Sequence, residues 1–188
     1  MPSSNSTRGA LRATLEATLA SSGIRYAIVR LPEFYGPNVT NALVGGPFHA
    51  AARSRPMLWL GELDVTVEYV FIRDAAAAVV DVALAKECDG ETFHVDAGPI
   101  TPRAFWTQVL ALAAASGRPH ALPLPALRLI ALVNPEAKAF LDIRHLWTDP
   151  VLLDGSKYRL RFARPTPTPY TQGARETLDW FRQHGGRR

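Results

Sequence analysis

The 188-residue chain has a single cysteine, Cys88, so no disulfide can form within it, and such sparse cysteine use fits a reducing cytoplasm. Cys88 lies in Lys86-Glu87-Cys88-Asp89-Gly90, an acidic turn rather than the electropositive pocket that turns a thiol into a nucleophile. No apolar run approaches the ~20 residues that a membrane-spanning helix needs. The start, MPSSNSTRGALR, lacks the apolar centre of an export signal, so a cytoplasmic location is expected. His49, His94, His120, His145 and His184 show no metal-ligand spacing with one another or with Cys88, and no metal is expected. Charge is also sparse. The net charge of +4 is spread along the chain, with several arginines at its ends, Arg187 and Arg188 among them, and no basic block is interleaved with aromatics. Nucleic-acid binding therefore ranks last among the functions considered.

What the chain does have is alternation between short β-rich runs and helical stretches. At 20.6 kDa, with 47% hydrophobic residues, it suits one domain or one domain with a small appendage. Leu11, Leu15 and Leu19 recur every four residues and predict a helix over 7–22, stopped by Gly23. Tyr26-Ala27-Ile28-Val29 predicts a strand over 25–30. Pro32 lacks a backbone donor and biases Leu31 toward extended geometry, so this strand must finish there, and Phe34-Tyr35-Gly36-Pro37 reads as a tight turn. A weaker helix is expected over 41–54. Strands are expected at 57–60 and 68–72, on either side of a turn at 61–64, and another at 92–95. Asp74 has the profile of an N-cap for a helix over 75–86 whose Val79, Val82 and Ala83 form an apolar stripe. Thr101-Pro102 opens a helix through Ala115. Residues 118–125 read as extended, two helices meet near Asn134-Pro135, Arg164 to Pro169 is a stiff proline connector, and Thr171 to Gln183 closes as an amphipathic helix.

Four segments, in order, resemble the C-terminal half of an extended short-chain dehydrogenase/reductase of the NAD-dependent epimerase/dehydratase family. Val29-Arg30-Leu31-Pro32-Glu33-Phe34-Tyr35-Gly36-Pro37 is similar to the family's R-x-P-x-x-Y-G-P strand-turn. Glu68-Tyr69-Val70-Phe71-Ile72-Arg73-Asp74-Ala75-Ala76 resembles its strand, aspartate and small-residue helix. Glu91-Thr92-Phe93-His94-Val95 with Thr101 resembles its E-T-F-N-V…T. Asp154-Gly155-Ser156-Lys157, Pro169-Tyr170 and Glu176-Thr177-Leu178-Asp179-Trp180 resemble its closing D-x-S-K…E-T-L-x-W. The resemblance implies an α/β fold: a partial Rossmann-like doubly wound sheet with a small helical substrate-binding subdomain. Residues 1–100 would belong to the Rossmann-like part, with a substrate-side insertion at about 38–66, and 101–188 to the helical subdomain and closing helix.

Two departures shape the functional expectation. The family's Gly-x-x-Gly-x-x-Gly turn, whose N–H groups and helix N-terminus hold the dinucleotide pyrophosphate, is absent from these residues, and Gly45-Gly46 has no strand leading into it. The family's Tyr-x-x-x-Lys pair, aligned on Glu16, falls on Arg8 and Arg12. Arginine is a permanent cation and cannot serve as acid or base near neutral pH, so no catalytic residue is assigned. The resemblance implies NAD or NADP as cofactor and places Arg12, Pro32 and Glu33 on its side. It places Tyr35, Asn38, Asn41 and Arg73 on the substrate side. Each has a plainer alternative: a strand end for Pro32 and Glu33, packing beneath the turn for Tyr35, an N-cap for Asn38 or Asn41, and an ion pair with Asp74 or Glu68 for Arg73.

The leading expectation is an NAD(P)-dependent epimerase/dehydratase- or reductase-like protein acting on a nucleotide sugar or another small alcohol or carbonyl compound. The chain alone should neither hold NAD tightly nor turn over substrate. The alternative is a catalytically inactive module that binds a small molecule or a protein. A homodimer or edge-strand pairing is expected from the 25–30 strand, which lacks its usual neighbours.

Overall fold

In the computed structural model, which describes residues 7–41, 43–149, 152–163 and 166–184, the β-rich runs become short parallel strands and the alanine- and leucine-rich stretches become helices. Residues 1–6, 164–165 and 187–188, with parts of the expected polar start, proline connector and terminal arginines, lie outside the described residues. α1 (Thr7–Ser21) leads by a loop to β1 (Ile28–Arg30), which pairs in parallel with β5 (Thr92–His94). A parallel pair requires a long crossover. Here the crossover includes α3 (Ile72–Leu84), which packs back onto β1.

Pro32 has no N–H to donate, and the ladder to β5 ends just before it. The chain does not turn there, however. It stays extended as β2 (Glu33–Tyr35), paired in parallel with β4 (Tyr69–Phe71). The turn expected at Phe34–Pro37 begins only at Gly36, which has φ +146° and lies where a Cβ would meet Ile72 Cγ2 at 2.3 Å. Tyr35 is the reason for the difference. Its side chain is fully buried, and drawing it into the core holds its backbone against β4.

β3 (Leu58–Trp59) and β4 form where expected but do not pair with each other. β3 pairs in parallel with β6 (His120–Ala121), inside the stretch read as merely extended. The weak helical signal at 41–54 narrows to α2 (Gly45–Ala52). α4 (Pro102–Ala113) starts as its sequence indicates, with Thr101 Oγ1 accepting from the Ala104 N–H at 3.2 Å. α5 (Leu124–Ala131) and α6 (Pro135–Ile143) meet at Asn134, which caps α6 by accepting from the Ala137 N–H at 3.0 Å. α7 (Ser156–Phe162) was not expected, because seven residues are too few to display a helical period. α8 (Tyr170–His184) closes the chain and packs on α2 and α4.

Asp74 is not the cap of α3. That helix begins at Ile72 after Phe71, placing Asp74 within its first turn. The Asp74 carboxylate instead accepts from the Thr168 N–H at 2.8 Å and from Thr168 Oγ1–H at 2.9 Å, pinning the segment before α8.

Two cores result. In the larger, Tyr35 and Tyr69 from the strands meet Phe48 of α2, Phe105 and Trp106 of α4 and Phe181 of α8. The ring centroids of Tyr69 and Phe105 are 4.7 Å apart, and those of Phe48 and Trp106 5.3 Å. In the smaller, Val70, Ala78, Val82 and Phe93 surround Tyr158, whose hydroxyl donates to Asp81 at 2.7 Å. Alternate residues of β4 thus serve opposite cores, and all three are buried. Two apolar rows visible in the sequence are only partly buried: Leu11 and Leu15 of α1 are 65% and 59% exposed, and Val79 of α3 is 46% exposed while Val82 is buried. The buried face of α3 is Ala75, Ala78 and Val82.

Candidate functional site

The step from β1 to β2 carries the chain from one strand pair to another, and the polar groups of interest gather around it. Register places Glu33 opposite Tyr69. The Glu33 carboxylate accepts from Asn41 Nδ2 at 3.1 Å, while Asn41 Oδ1 accepts from the Val44 N–H at 2.8 Å and the Gly45 N–H at 3.4 Å. Asn41 therefore ties the end of β2 to the entry of α2, but it is not the N-cap its sequence left open, since Val44 holds that position. Burial pushes the Glu33 carboxyl above its ordinary range, and the Asn41 hydrogen bond only partly offsets this. Tyr69 is enclosed beside it. Burial, then the Glu33 charge, raise the Tyr69 phenol, and its hydroxyl has no hydrogen-bond partner among the described residues.

Around this pair the backbone is held by two side chains that sequence reasoning did not single out as site residues. Glu68 is 5% exposed, and its carboxylate accepts from the Ala97 N–H at 3.3 Å and the Leu153 N–H at 2.8 Å. Tyr170 Oη accepts from the Tyr69 N–H at 3.2 Å and donates to the Gly98 carbonyl at 2.7 Å. Burial moves the Tyr170 phenol up to about 12, so it stays protonated in this bridge. A glutamate inside the apolar run Glu68-Tyr69-Val70-Phe71-Ile72 was the available signal, since a carboxylate is buried only where donors meet it.

On the α1 side of β1, Arg30 donates to Glu16 at 2.7 Å and lies 3.4 Å from His94 Nε2. Partial burial and the Arg30 charge both lower the His94 imidazole. An open groove of about 440 Å³ runs between Arg30, Thr92, His94, Asp154 and Lys157. Lys157 is committed to Glu91 and to the Thr92 carbonyl at 2.9 Å, so the groove is not a free cationic site. A smaller cavity of about 100 Å³ lies by Asp74, Asp96, Tyr158 and Arg159. Neither cavity is lined by Glu33, Asn38 or Asn41.

The remaining site residues fall as follows. Pro32 is half-buried at the β1–β2 step. Tyr35 is 0% exposed, packed 5.1 Å from Phe105 and 6.0 Å from Phe48, and its hydroxyl has no partner among the described residues. It presents no surface to a ligand in this conformation. Asn38 is exposed in the left-handed region at φ +66°, which asparagine tolerates. Arg73 pairs with neither Asp74 nor Glu68. Those carboxylates are turned to Thr168 and to the Ala97 and Leu153 amides, and Arg73 meets Glu176 of α8 at 2.9 Å with its side chain 69% exposed. Arg12 is exposed on α1, one turn before Glu16, and Arg8 lies in the first turn of α1, its side chain outside what is described. Among the described residues no cluster of metal-ligating side chains occurs. No helix among them is long and apolar enough to cross a membrane.

The residues fit a dinucleotide poorly at its pyrophosphate end. Gly45 begins α2, but its Cα is pressed against its own chain, where a Cβ would meet the Val39 carbonyl oxygen at 2.8 Å, and no strand leads into it. Its N–H is already given to Asn41. Among the described residues there is thus no glycine cradle for phosphate.

The chain has an α/β fold of short parallel strand pairs and helices, and its match to the solved structures below makes that fold Rossmann-like. Residues 8–96 match the sequence model of the NAD dependent epimerase/dehydratase family. No curated protein matches the chain in sequence. Among solved structures, UDP-glucuronic acid 4-epimerase from Bacillus cereus, in complex with UDP-glucuronic acid and NAD, superposes with a TM-score of 0.76 at 14% identity, covering 97% of this chain and 55% of that one. DesIV, a dTDP-glucose 4,6-dehydratase from Streptomyces venezuelae with NAD bound, gives 0.71 at 20% identity over 97% and 52%. WbmH from Bordetella bronchiseptica, in complex with NAD+, gives 0.70 at 18% over 98% and 54%. The chain spans about half the length of the structures it matches.

Proposed function

We propose that this chain supplies the substrate side of an NAD(P)-dependent epimerase/dehydratase- or reductase-like protein acting on a nucleotide sugar or another small alcohol or carbonyl compound. The observation that supports it best is the β1–β2 step at Pro32–Glu33, where a half-buried carboxyl with a raised pKa sits beside Asn41 at the carboxyl end of a parallel strand. Open α/β sheets bind ligands at such ends. In this reading Pro32, Glu33 and Arg12 face the cofactor, and Asn38, Asn41 and Arg73 face the substrate. Tyr35 supports the turn from beneath. The cofactor's chemistry would be hydride transfer at a carbinol carbon, and the chain's share would be to bind and orient the substrate. α1 has neither tyrosine nor lysine, so no residue is assigned the proton transfer.

That absence also favours a second reading, a catalytically inactive member that binds a small molecule or protein. Titration of UDP-glucose and dTDP-glucose, followed by amide shifts, tests the binding assignment. Saturable shifts at Asn38 and Asn41 are expected, and none at either residue with either sugar would overturn it. Calorimetry with NAD(H) should show no micromolar affinity. Turnover by the purified chain, supplied with NAD, would overturn the expectation that this chain alone is inactive.

A further inference from the structure

α5 is apolar on every side, yet it lies at the surface. From Leu124 through the turn at Leu132-Val133 the chain reads LPALRLIALV, and Arg128 is its only polar side chain. A helix that is hydrophobic all round belongs inside a large core or in lipid. α5 is enclosed on one side only. Leu127 is 1% exposed and anchors it in the larger core, with Leu124 and Ala131 packed beside it. At about 100° per residue, Leu129 and Leu132 fall opposite Leu127, with Val133 next to them. Leu129, Leu132 and Val133 are 69%, 79% and 87% exposed.

The corner cannot fold these side chains away. Val133 and Asn134 both donate to the Ile130 carbonyl, at 3.1 and 2.9 Å, which closes the turn after α5. Asn134 then caps α6, and a proline stands in the first turn of each helix. The apolar side chains are therefore held outward on a rigid knob. The two cavities lie elsewhere, and no α5 residue lines either of them.

We propose that the α5–α6 corner docks on an anionic lipid bilayer, with α5 lying in the plane of the interface and Leu129, Leu132 and Val133 in the acyl boundary. No helix among the described residues is long and apolar enough to cross a membrane, so α5 rests on the surface. Two observations select lipid over protein. A projecting knob needs a concave partner or a yielding one, and a bilayer yields, whereas a second copy would set knob against knob. The single charge of α5 is also placed for headgroups. Arg128 sits about 100° around the helix from Leu127, at the border of the exposed apolar side, where its stem can lie along Leu132 and its guanidinium reach phosphate. No carboxylate pairs with it among the described residues. Residues 97–135 contain no Asp or Glu, and the next carboxylate along the chain is Glu136, in the first turn of α6.

The docking does not depend on what Glu33 and Asn41 bind, and its test uses the whole chain without substrate. Flotation with vesicles of phosphatidylcholine alone, and of phosphatidylcholine with phosphatidylglycerol at about 7:3, should show binding to both, roughly fivefold tighter to the second, the gain from one cation near an anionic surface. Leu132→Ser combined with Val133→Ser should weaken binding to both vesicles by at least about tenfold. Its melting curve should be unchanged, because both side chains already face water. Arg128→Gln should remove the preference for phosphatidylglycerol and leave binding to phosphatidylcholine as it was. Leu160→Ser, at a position 84% exposed on α7, should change neither. No flotation with either vesicle, or undiminished flotation of the Leu132→Ser, Val133→Ser variant, would overturn the proposal. So would self-association of the chain without vesicles that this variant abolishes, since a second copy would then be the occupant.

Discussion

Glu68→Ala should destabilise the chain more than any comparable surface substitution, because one carboxylate holds two separate loops. It accepts from Ala97, which follows β5, and from Leu153, which precedes α7, and it is 5% exposed. Truncation removes two charge-assisted hydrogen bonds, each worth about 1.5–3 kcal/mol net, and leaves two N–H groups without their acceptor. Water can reach these half-buried amides in part, so the expected loss is about 3 kcal/mol rather than the full sum. For a chain of this size that is a fall in melting temperature of roughly 6–12 °C. Glu68→Gln keeps one acceptor and should lose about half as much. The assay is urea and thermal unfolding by circular dichroism, with hydrogen exchange at Ala97 and Leu153 as the local readout. A Glu68→Ala loss below about 1 kcal/mol, with both amides still protected, would refute the clamp.

Tyr35→Phe removes a buried hydroxyl that has no partner among the described residues. Stability should be unchanged or rise by up to about 1 kcal/mol, and nucleotide-sugar titration should be unaffected. A loss of binding would show that Tyr35 does more than pack. Glu33 has a folded pKa above its unfolded value, so the folded state holds the extra proton and stability falls as pH rises from the ordinary value of 4.5 through the raised one. Glu33→Gln should abolish that decline and gain on the wild type toward neutral pH. An equal change of unfolding free energy between about pH 4 and 7 for the wild type and Glu33→Gln, measured by urea titration, would exclude the burial effect.

The outline of the fold was readable because its signals are local. Thr101-Pro102 and Asn134-Pro135 carry their own cap and first helical turn, and both helices start there. Pro32 ends a ladder by lacking a donor. The motifs at 29–37, 68–76 and 91–95 lie within residues 8–96, which match the family's sequence model, and the closing motif lies beyond it. Long-range choices were not readable. Nothing local to Glu33-Phe34-Tyr35 says that it pairs with a strand more than thirty residues away, and the aromatic core that captures Tyr35 is assembled from α2, α4 and α8. Arg73 found Glu176 rather than its neighbours because Glu68 and Asp74 were already engaged by distant donors.

The sequence by itself determined where strands and helices could begin and end, because proline, glycine and capping side chains act on backbone torsions and hydrogen bonds within a few residues. It also determined that Arg8 and Arg12 cannot exchange a proton near neutral pH, since that is a property of the guanidinium alone. Only the tertiary structure decided which carboxylates are buried, which apolar rows stay exposed and which strands pair. Burial and partner supply depend on segments far apart in the chain, so Glu33 and Glu68 took on their character only when the fold brought those segments together.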